Sequence, residues 1–277
     1  MKALFSLFNP QDFTPLGFVL LLPLLGAFVN GVWGKRLGKD AVRLMALFSI
    51  GAAFVVSLIT VAGLDYQVGL TQTETMHEGH KVMQQEHVKL FWTAWEWLYT
   101  SGKGDGNVPI SLRFSVDALS GVMMLVITGV GFLIHLYASS YMEKDKSYWR
   151  FFAYLNLFVF SMLILVLGDN LPVLFVGWEG VGLCSYLLIG FWYPKMENAA
   201  AGKKAFIANR IGDFGLICAM FLLVHYTGAL DWKGIESGSM SLITPQEANQ
   251  VHVWPLGNGH FTGALKFLQP EHPLTMT

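Results

Sequence analysis

The sequence predicts an all-α membrane protein of about six transmembrane helices, with a small extramembrane β-hairpin between the second and third. Two observations carry this. Apolar residues make up 53% of the chain and charged ones only 13%, about half the charged share of a soluble globular protein. The mean hydropathy is +0.48. The apolar residues are also gathered into runs of about 20 with few or no charges, the length that crosses a bilayer core. The nine tryptophans and 21 phenylalanines suit lipid-facing surfaces and interfacial belts. A net charge of −1, without any basic cluster to neutralise phosphates, excludes nucleic acid as a partner.

In chain order, the first span covers about residues 16–33, is free of charge and contains Pro23, a candidate kink. No small-residue cleavage site follows it, so it is expected to remain as an anchor. Lys35, Arg36, Lys39 and Arg43 lead into the second span, about residues 44–64. Residues 65–113 form a polar loop. Within it, WEWLY at 95–99 and ISLRF at 110–114 alternate with period two, the pattern of a β-hairpin lying at the outer surface with its tryptophans at headgroup level. The third span, about 115–141, opens with Asp117, a helix cap and dipole partner. A charged turn leads to the uncharged fourth span, about 151–168, and a two-residue turn leads to the fifth, 170–193. The sixth follows Lys195, Lys203 and Lys204 and ends near Gly228. This divides the chain into a two-helix region (1–64), an extracytoplasmic loop (65–113), a four-helix part (114–228) and a polar extracytoplasmic tail or truncated loop (229–277). Lysine and arginine crowd the loops after spans one, three and five, which places those loops in the cytoplasm and both chain ends on the far side.

The fifth span, NLPVLFVGWEGVGLCSYLLIGFWY, holds a single charge, Glu179. At 1.5 Å per residue it lies roughly 14 Å from the outer end, near mid-membrane. An ionised acid there costs about 2.5–3.5 kcal/mol, and such groups usually face a bundle interior, a water cavity or an ion path. The alternative is a protonated, hydrogen-bonded packing residue. Gly177, Gly180 and Gly182 let a neighbouring helix come close. In the sixth span Arg210 and Asp213 lie three residues apart on one face and can pair. Asp213 and Glu179 sit within about two turns in depth, so a few waters would join them into a proton path. The other reading is a structural ion pair. His135, near the cytoplasmic end of span three, titrates near neutral pH and suits a proton route. A lone histidine in a helix is more often a satisfied packing group, and this holds still more for His225.

Other motifs carry no chemistry. HEGH at 77–80 spaces its histidines three apart, not the four of a metalloprotease helix, so no metal site is expected. GKGDG at 102–106 lacks the spacing of a nucleotide loop and is a turn. Cys184 and Cys218 have neither disulfide nor metal spacing and are packing thiols.

Four stretches, FSVDALSGVMMLVITGVGFLIHLYASSYM, RFFAYLNLFVFSMLILVLGDN, GWEGVGLCSYLLIGFWY and KKAFIANRIGDFG, resemble the NuoL-type antiporter-like subunits of respiratory complex I (NADH:quinone oxidoreductase chain L), a family shared with Mrp-type cation/proton antiporters. The match is dense from about residue 114 to 215. The resemblance implies a proton-pumping module at the distal end of the complex's membrane arm. It makes Glu179 half of a buried Glu–Lys pair and links Asp213, with Arg210 as its partner, to the same proton channel. His135 falls on the family's IHLYAS-like segment. It further implies a subunit of a translocating enzyme without redox chemistry of its own, with NADH, FMN, iron–sulfur clusters and quinone held by other subunits. The implied partners are the lipid bilayer and other membrane-arm subunits, above all a neighbouring antiporter-like one. The implied location is a bacterial cytoplasmic (inner) membrane in preference to an organelle's inner membrane.

The sequence departs from the family in lacking a G-K-S-A-Q-type motif and its pumping lysine; Lys266, in GALKFLQPEHP, has different surroundings. The chain therefore looks like the N-terminal portion of such a subunit, a split product completed by a second chain or a truncation. Alone, a Glu179 without its lysine stays protonated in low dielectric and does not pump. Two other functions compete: an Mrp-type antiporter or membrane-bound hydrogenase subunit, and a non-pumping assembly or scaffold subunit.

Overall fold

The computed structural model describes residues 9–71, 73–77, 80–84, 88–101 and 107–241. Among them, six helices are long and apolar enough to cross a membrane. The helices are α1 (Thr14–Val32), the one-turn α2 (Gly34–Leu37), α3 (Lys39–Thr71), α4 (Ala118–Tyr141), α5 (Tyr148–Leu167), α6 (Leu171–Ile189), α7 (Met196–Thr227) and α8 (Trp232–Ser241). Between α3 and α4 lie β1 (Thr73–His77), β2 (His80–Gln84), β3 (Leu90–Ser101) and β4 (Asn107–Val116), paired as two antiparallel hairpins, β1–β2 and β3–β4. The chain is a multi-pass membrane protein.

The period-two stretches pair as expected, with Trp95 opposite Leu112 and Glu96 opposite Ser111, and a register shift on either side of them. Three features differ from the sequence-based expectation. The second span continues as helix to Thr71, well past residue 64; no proline stands between Asp65 and Thr71, and Gly69 costs only about 1 kcal/mol. The polar stretch after it folds into the β1–β2 hairpin, whose short, mixed strands TETMH and HKVMQ carry no clean alternation. The polar tail opens with α8. HEGH spans the β1–β2 turn, with His77 paired to His80 and its two central residues outside the described set. The GKGDG stretch and Lys266 also lie outside it. Among the described residues no group of three or more His, Cys, Asp or Glu could hold a metal.

The helices pack in an antiparallel series: α1 against α3 and α5, α4 against α3 and α5, α6 against α5, and α7 against α6. Two apolar clusters fill the interior. One, at the hairpin end, joins Leu16, Leu20, Ile50, Met124, Val159 and Leu163 to Leu90 and Phe114 of the hairpin. The other, at the opposite end, joins Val42, Ala46, Ala138, Met142, Tyr148, Phe152 and Phe191.

The β3–β4 hairpin sets where the helices begin. Phe13 N–H donates to the Phe91 carbonyl (2.6 Å) and Phe91 N–H to the Pro10 carbonyl (2.8 Å), which ties the start of α1 to β3. Asp117 caps α4 through a reciprocal pair with Ser120: Ser120 N–H donates to Asp117 Oδ1 (2.9 Å) and Asp117 N–H to Ser120 Oγ (2.8 Å). The Asp169 amide donates to the Arg113 carbonyl (3.1 Å), and the Arg113 guanidinium pairs with Asp169 Oδ2 at 3.1 Å. Asn170 then caps α6, accepting from Val173 N–H (2.9 Å) while its Nδ2 donates to the Ser111 carbonyl (2.8 Å). Pro172 follows, where a missing N–H costs nothing. The first turn of α6 is thus fixed on β4, and Glu179 lies nine residues further on.

Candidate functional site

Glu179 projects from α6 toward α7, and two features of α6 place it there. Gly177 faces α5 so closely that a Cβ would stand 2.4 Å from the Leu165 backbone nitrogen. That contact turns the neighbouring residues Trp178 and Glu179 away from α5. On the α7 side, Gly182 leaves space in front of Asn209, next to Arg210.

Arg210 joins two acids. Its Nη1 pairs with Glu179 Oε2 across the helix interface and with Asp213 Oδ2 at 3.3 Å along its own helix. Asp213 is buried, and its second oxygen accepts from the Trp178 indole N–H at 2.7 Å. The Glu179 and Arg210 side chains keep 23% and 42% of their exposure, so the cluster lies at an open edge of the bundle rather than deep within it. The guanidinium also lies over the Phe206 ring, 4.5 Å from its centroid.

The charges do not balance. One guanidinium serves two carboxylates, and the better-supplied acid is Asp213, with two donors, one of them charged. Glu179 has Arg210 alone among the described residues. The structure therefore brings together the three charged residues expected of the ion path, and it joins them by the arginine itself rather than through waters. Trp178 is the member that sequence reasoning missed, although it stands beside Glu179 in GWEG.

His135 is elsewhere. It is fully buried on α4, with Nδ1 2.7 Å from the Gly131 carbonyl and its ring 6.0 Å from that of Phe152 on α5. Because α4 packs on α3 and α5 while α6 packs on α5 and α7, α5 stands between this histidine and the Glu179 cluster. His225 lies near the end of α7, edge-on to Tyr226. A cavity of about 330 Å³ opens at the hairpin end among Lys89, Arg113, Asp169, Asp231 and Trp232. Burial pushes the Asp169 carboxyl above the usual range there, and Arg113 pulls it part of the way back.

Residues 104–152 match the family model described as NADH-ubiquinone oxidoreductase (complex I), chain 5 N-terminus. Residues 168–257 match the model for the transmembrane region of NADH:quinone oxidoreductase and Mrp antiporters. Together they take in about half of the chain, including all four cluster residues. The chain belongs to this antiporter-like family. NADH-quinone oxidoreductase subunit L of Escherichia coli strain K12 is 40% identical over 223 residues, which are 79% of this chain and 32% of that protein. NADH-ubiquinone oxidoreductase chain 5 of Metridium senile is 36% identical over 217 residues, 78% of this chain and 32% of that one. The chain thus spans about a third of the length of these relatives. The fold matches a chain in the Mrp complex from Dietzia sp. DQ12-45-1b, with a TM-score of 0.58 and 22% identity over 84% of this chain and 22% of that one. It also matches a chain in an archaeal membrane-bound sulfane sulfur reductase, with a TM-score of 0.59 and 15% identity over 82% and 30% of the two chains.

Proposed function

We propose that this chain is the N-terminal part of a proton-translocating membrane-arm subunit of NADH:quinone oxidoreductase, in which Glu179, Arg210 and Asp213 form part of the ion path. The observation that carries this is the single guanidinium shared by two acids. A proton or a second cation would offset the surplus negative charge, and Glu179, whose one partner among the described residues is Arg210, is the acid assigned to receive it. Opposite unit charges about 4 Å apart attract by about 4 kcal/mol at an effective dielectric of 20, enough to change an ionised fraction roughly a thousandfold. Movement of a cation toward or away from Glu179 is the step this reading assigns to ion transfer. The second cation is a lysine supplied from outside residues 9–241, in a second chain or a further segment. The cluster's open edge leaves room for it, since the Glu179 and Arg210 side chains remain partly exposed.

In this reading the chain does no redox chemistry; NADH, FMN, iron–sulfur clusters and quinone belong to other subunits. Its partners are the other membrane-arm subunits, chiefly the neighbouring antiporter-like one, in a bacterial inner membrane. His135 belongs to a separate part of the bundle. An Mrp-type antiporter is the second reading, because the family model over residues 168–257 spans both systems.

Affinity purification of the tagged chain from its native membrane separates them. Recovery of NADH:quinone oxidoreductase activity with the chain is the expected result. Recovery of sodium/proton antiport without that activity would replace complex I by the second reading, and recovery of neither would leave a scaffold.

A further inference from the structure

A cavity of about 170 Å³ opens at the end of the bundle opposite the hairpin, where α5 begins, α6 ends and α7 begins. Arg150 and Tyr154 of α5 line it, with Tyr186, Phe191 and Tyr193 from the end of α6 and the turn after it, and Ala199 of α7. Glycines bring the last two helices this close: a Cβ on Gly202 of α7 would stand 3.2 Å from the Gly190 backbone.

Arg150 is the one charged group in this lining, and its neighbours leave the charge unbalanced. Its Nη2 donates to the Phe191 carbonyl (3.2 Å). The guanidinium carbon lies 4.9 Å from the centroid of the Phe191 ring and 5.1 Å from that of Tyr193. A carbonyl and two rings attract a cation but carry no counter-charge. Among the described residues Arg150 forms no ion pair. The acid that acts on it from further off, Asp145, already accepts from the Trp192 indole and the Ser147 amide. A guanidinium presents five N–H donors in a planar fork that matches a phosphate, and one of the five reaches a protein acceptor among the described residues.

The surroundings decide which anion fits. Trp192 and Tyr193, beside the cavity, are 46% and 61% exposed, and such residues at the end of a span meet lipid headgroups. Leu183 lies three residues before Tyr186 and four before Leu187, both of which line the cavity. It therefore stands one turn deeper in the membrane on the same side of α6, and it is exposed, giving apolar surface to an acyl chain. Exposed Lys144, Lys146 and Lys195 stand at the same end of the bundle and favour anionic lipid over neutral lipid. A water-borne anion would use the charge but not the apolar side.

We propose that this cavity binds the phosphodiester of an anionic phospholipid, with Arg150 as its counter-charge and an acyl chain lying along α6 past Leu183. One phosphodiester carries one negative charge, which matches one guanidinium. The site is separate from the Glu179 cluster and does not depend on the proposed transport function.

The assembled complex in phosphatidylcholine vesicles, with a small share of phosphatidylglycerol bearing a photoreactive acyl chain, tests this. Cross-links to residues 183–193 are expected to exceed several-fold those to Leu133, on the exposed face of α4, which reports bulk lipid. Labelling no higher than at Leu133 would overturn the proposal and leave a cavity for free anions or solvent. In the same wild-type complex, unlabelled phosphatidylglycerol is expected to compete the label away, whereas diacylglycerol, which lacks the phosphate, is not. Equal competition by the two would overturn phosphate recognition. Arg150→Gln is expected to reduce labelling at 183–193 to the bulk level and Arg150→Lys to retain most of it, with assembly checked in both. Unchanged labelling in an assembled Arg150→Gln complex would show that the arginine only ties α5 to the end of α6.

Discussion

Asp213 is held by two neighbours of different kinds, an arginine on its own helix and an indole on the next. A hydrogen bond to a charged group contributes about 1.5–3 kcal/mol. Trp178→Phe retains the ring and deletes the donor. It is expected to slow proton translocation several-fold while NADH oxidation continues, and to have no added effect in an Asp213→Asn background, both measured in vesicles. At the opposite end, Asp145 accepts from the Trp192 indole (2.9 Å) and from the Ser147 amide (2.6 Å). The indole bond first, with Ser147, Arg150 and Lys39 adding to it, holds this carboxyl below the usual aspartate range, against the opposing effect of burial. A depressed acid stabilises the fold above its unfolded pKa of about 3.9 and loses that contribution as pH falls through its lower folded value. The turn between α4 and α5 should therefore detach from the end of α6 only at strongly acid pH. Trp192 fluorescence should report this transition in the wild type and lose it in Asp145→Asn.

Helix α6 is placed by a cap at one end and a close contact in its middle. Asn170→Ala removes the cap, worth about 1 kcal/mol, and leaves the Ser111 carbonyl without its donor. The thermal midpoint of the complex should fall accordingly. Gly177 is the stricter position. A side chain there would drive into the α5 backbone, which has no rotamer to yield, so Gly177→Leu is expected to abolish assembly, detected by loss of the chain from purified complex. Gly182→Ala, with only Asn209 Nδ2 at 3.9 Å, is expected to assemble normally. These elements were largely legible in the sequence. The apolar runs located all six spans, Asp117 announced its own helix, and the alternation of WEWLY with ISLRF gave the larger hairpin. The β1–β2 hairpin was not legible, because five-residue strands of mixed polarity have no period to detect. The buried Ser49–Asn156 hydrogen bond was hidden for another reason. Each residue stands alone in an apolar run, and only the packing of α3 on α5 brings the two together.

For the whole molecule, the same limit governs the functional site. Spacing along α7 showed that Arg210 and Asp213 share a face, and depth along α6 put Glu179 nearby. That Arg210 reaches across to Glu179, and that Trp178 completes the set, depends on how α6 and α7 turn against each other. Packing fixes that rotation through Gly177, and no single segment encodes it. The described part of the chain leaves α7 the least covered of the six spanning helices, with the charged cluster on its border. A longer subunit or a partner chain would close that border and complete the charge balance. If Glu179 carries a translocated proton, the number of protons pumped per NADH oxidised by the assembled complex in vesicles is lower in Glu179→Gln than in the wild type, with the complex shown intact in parallel. An unchanged ratio would leave the cluster as a structural tie between α6 and α7.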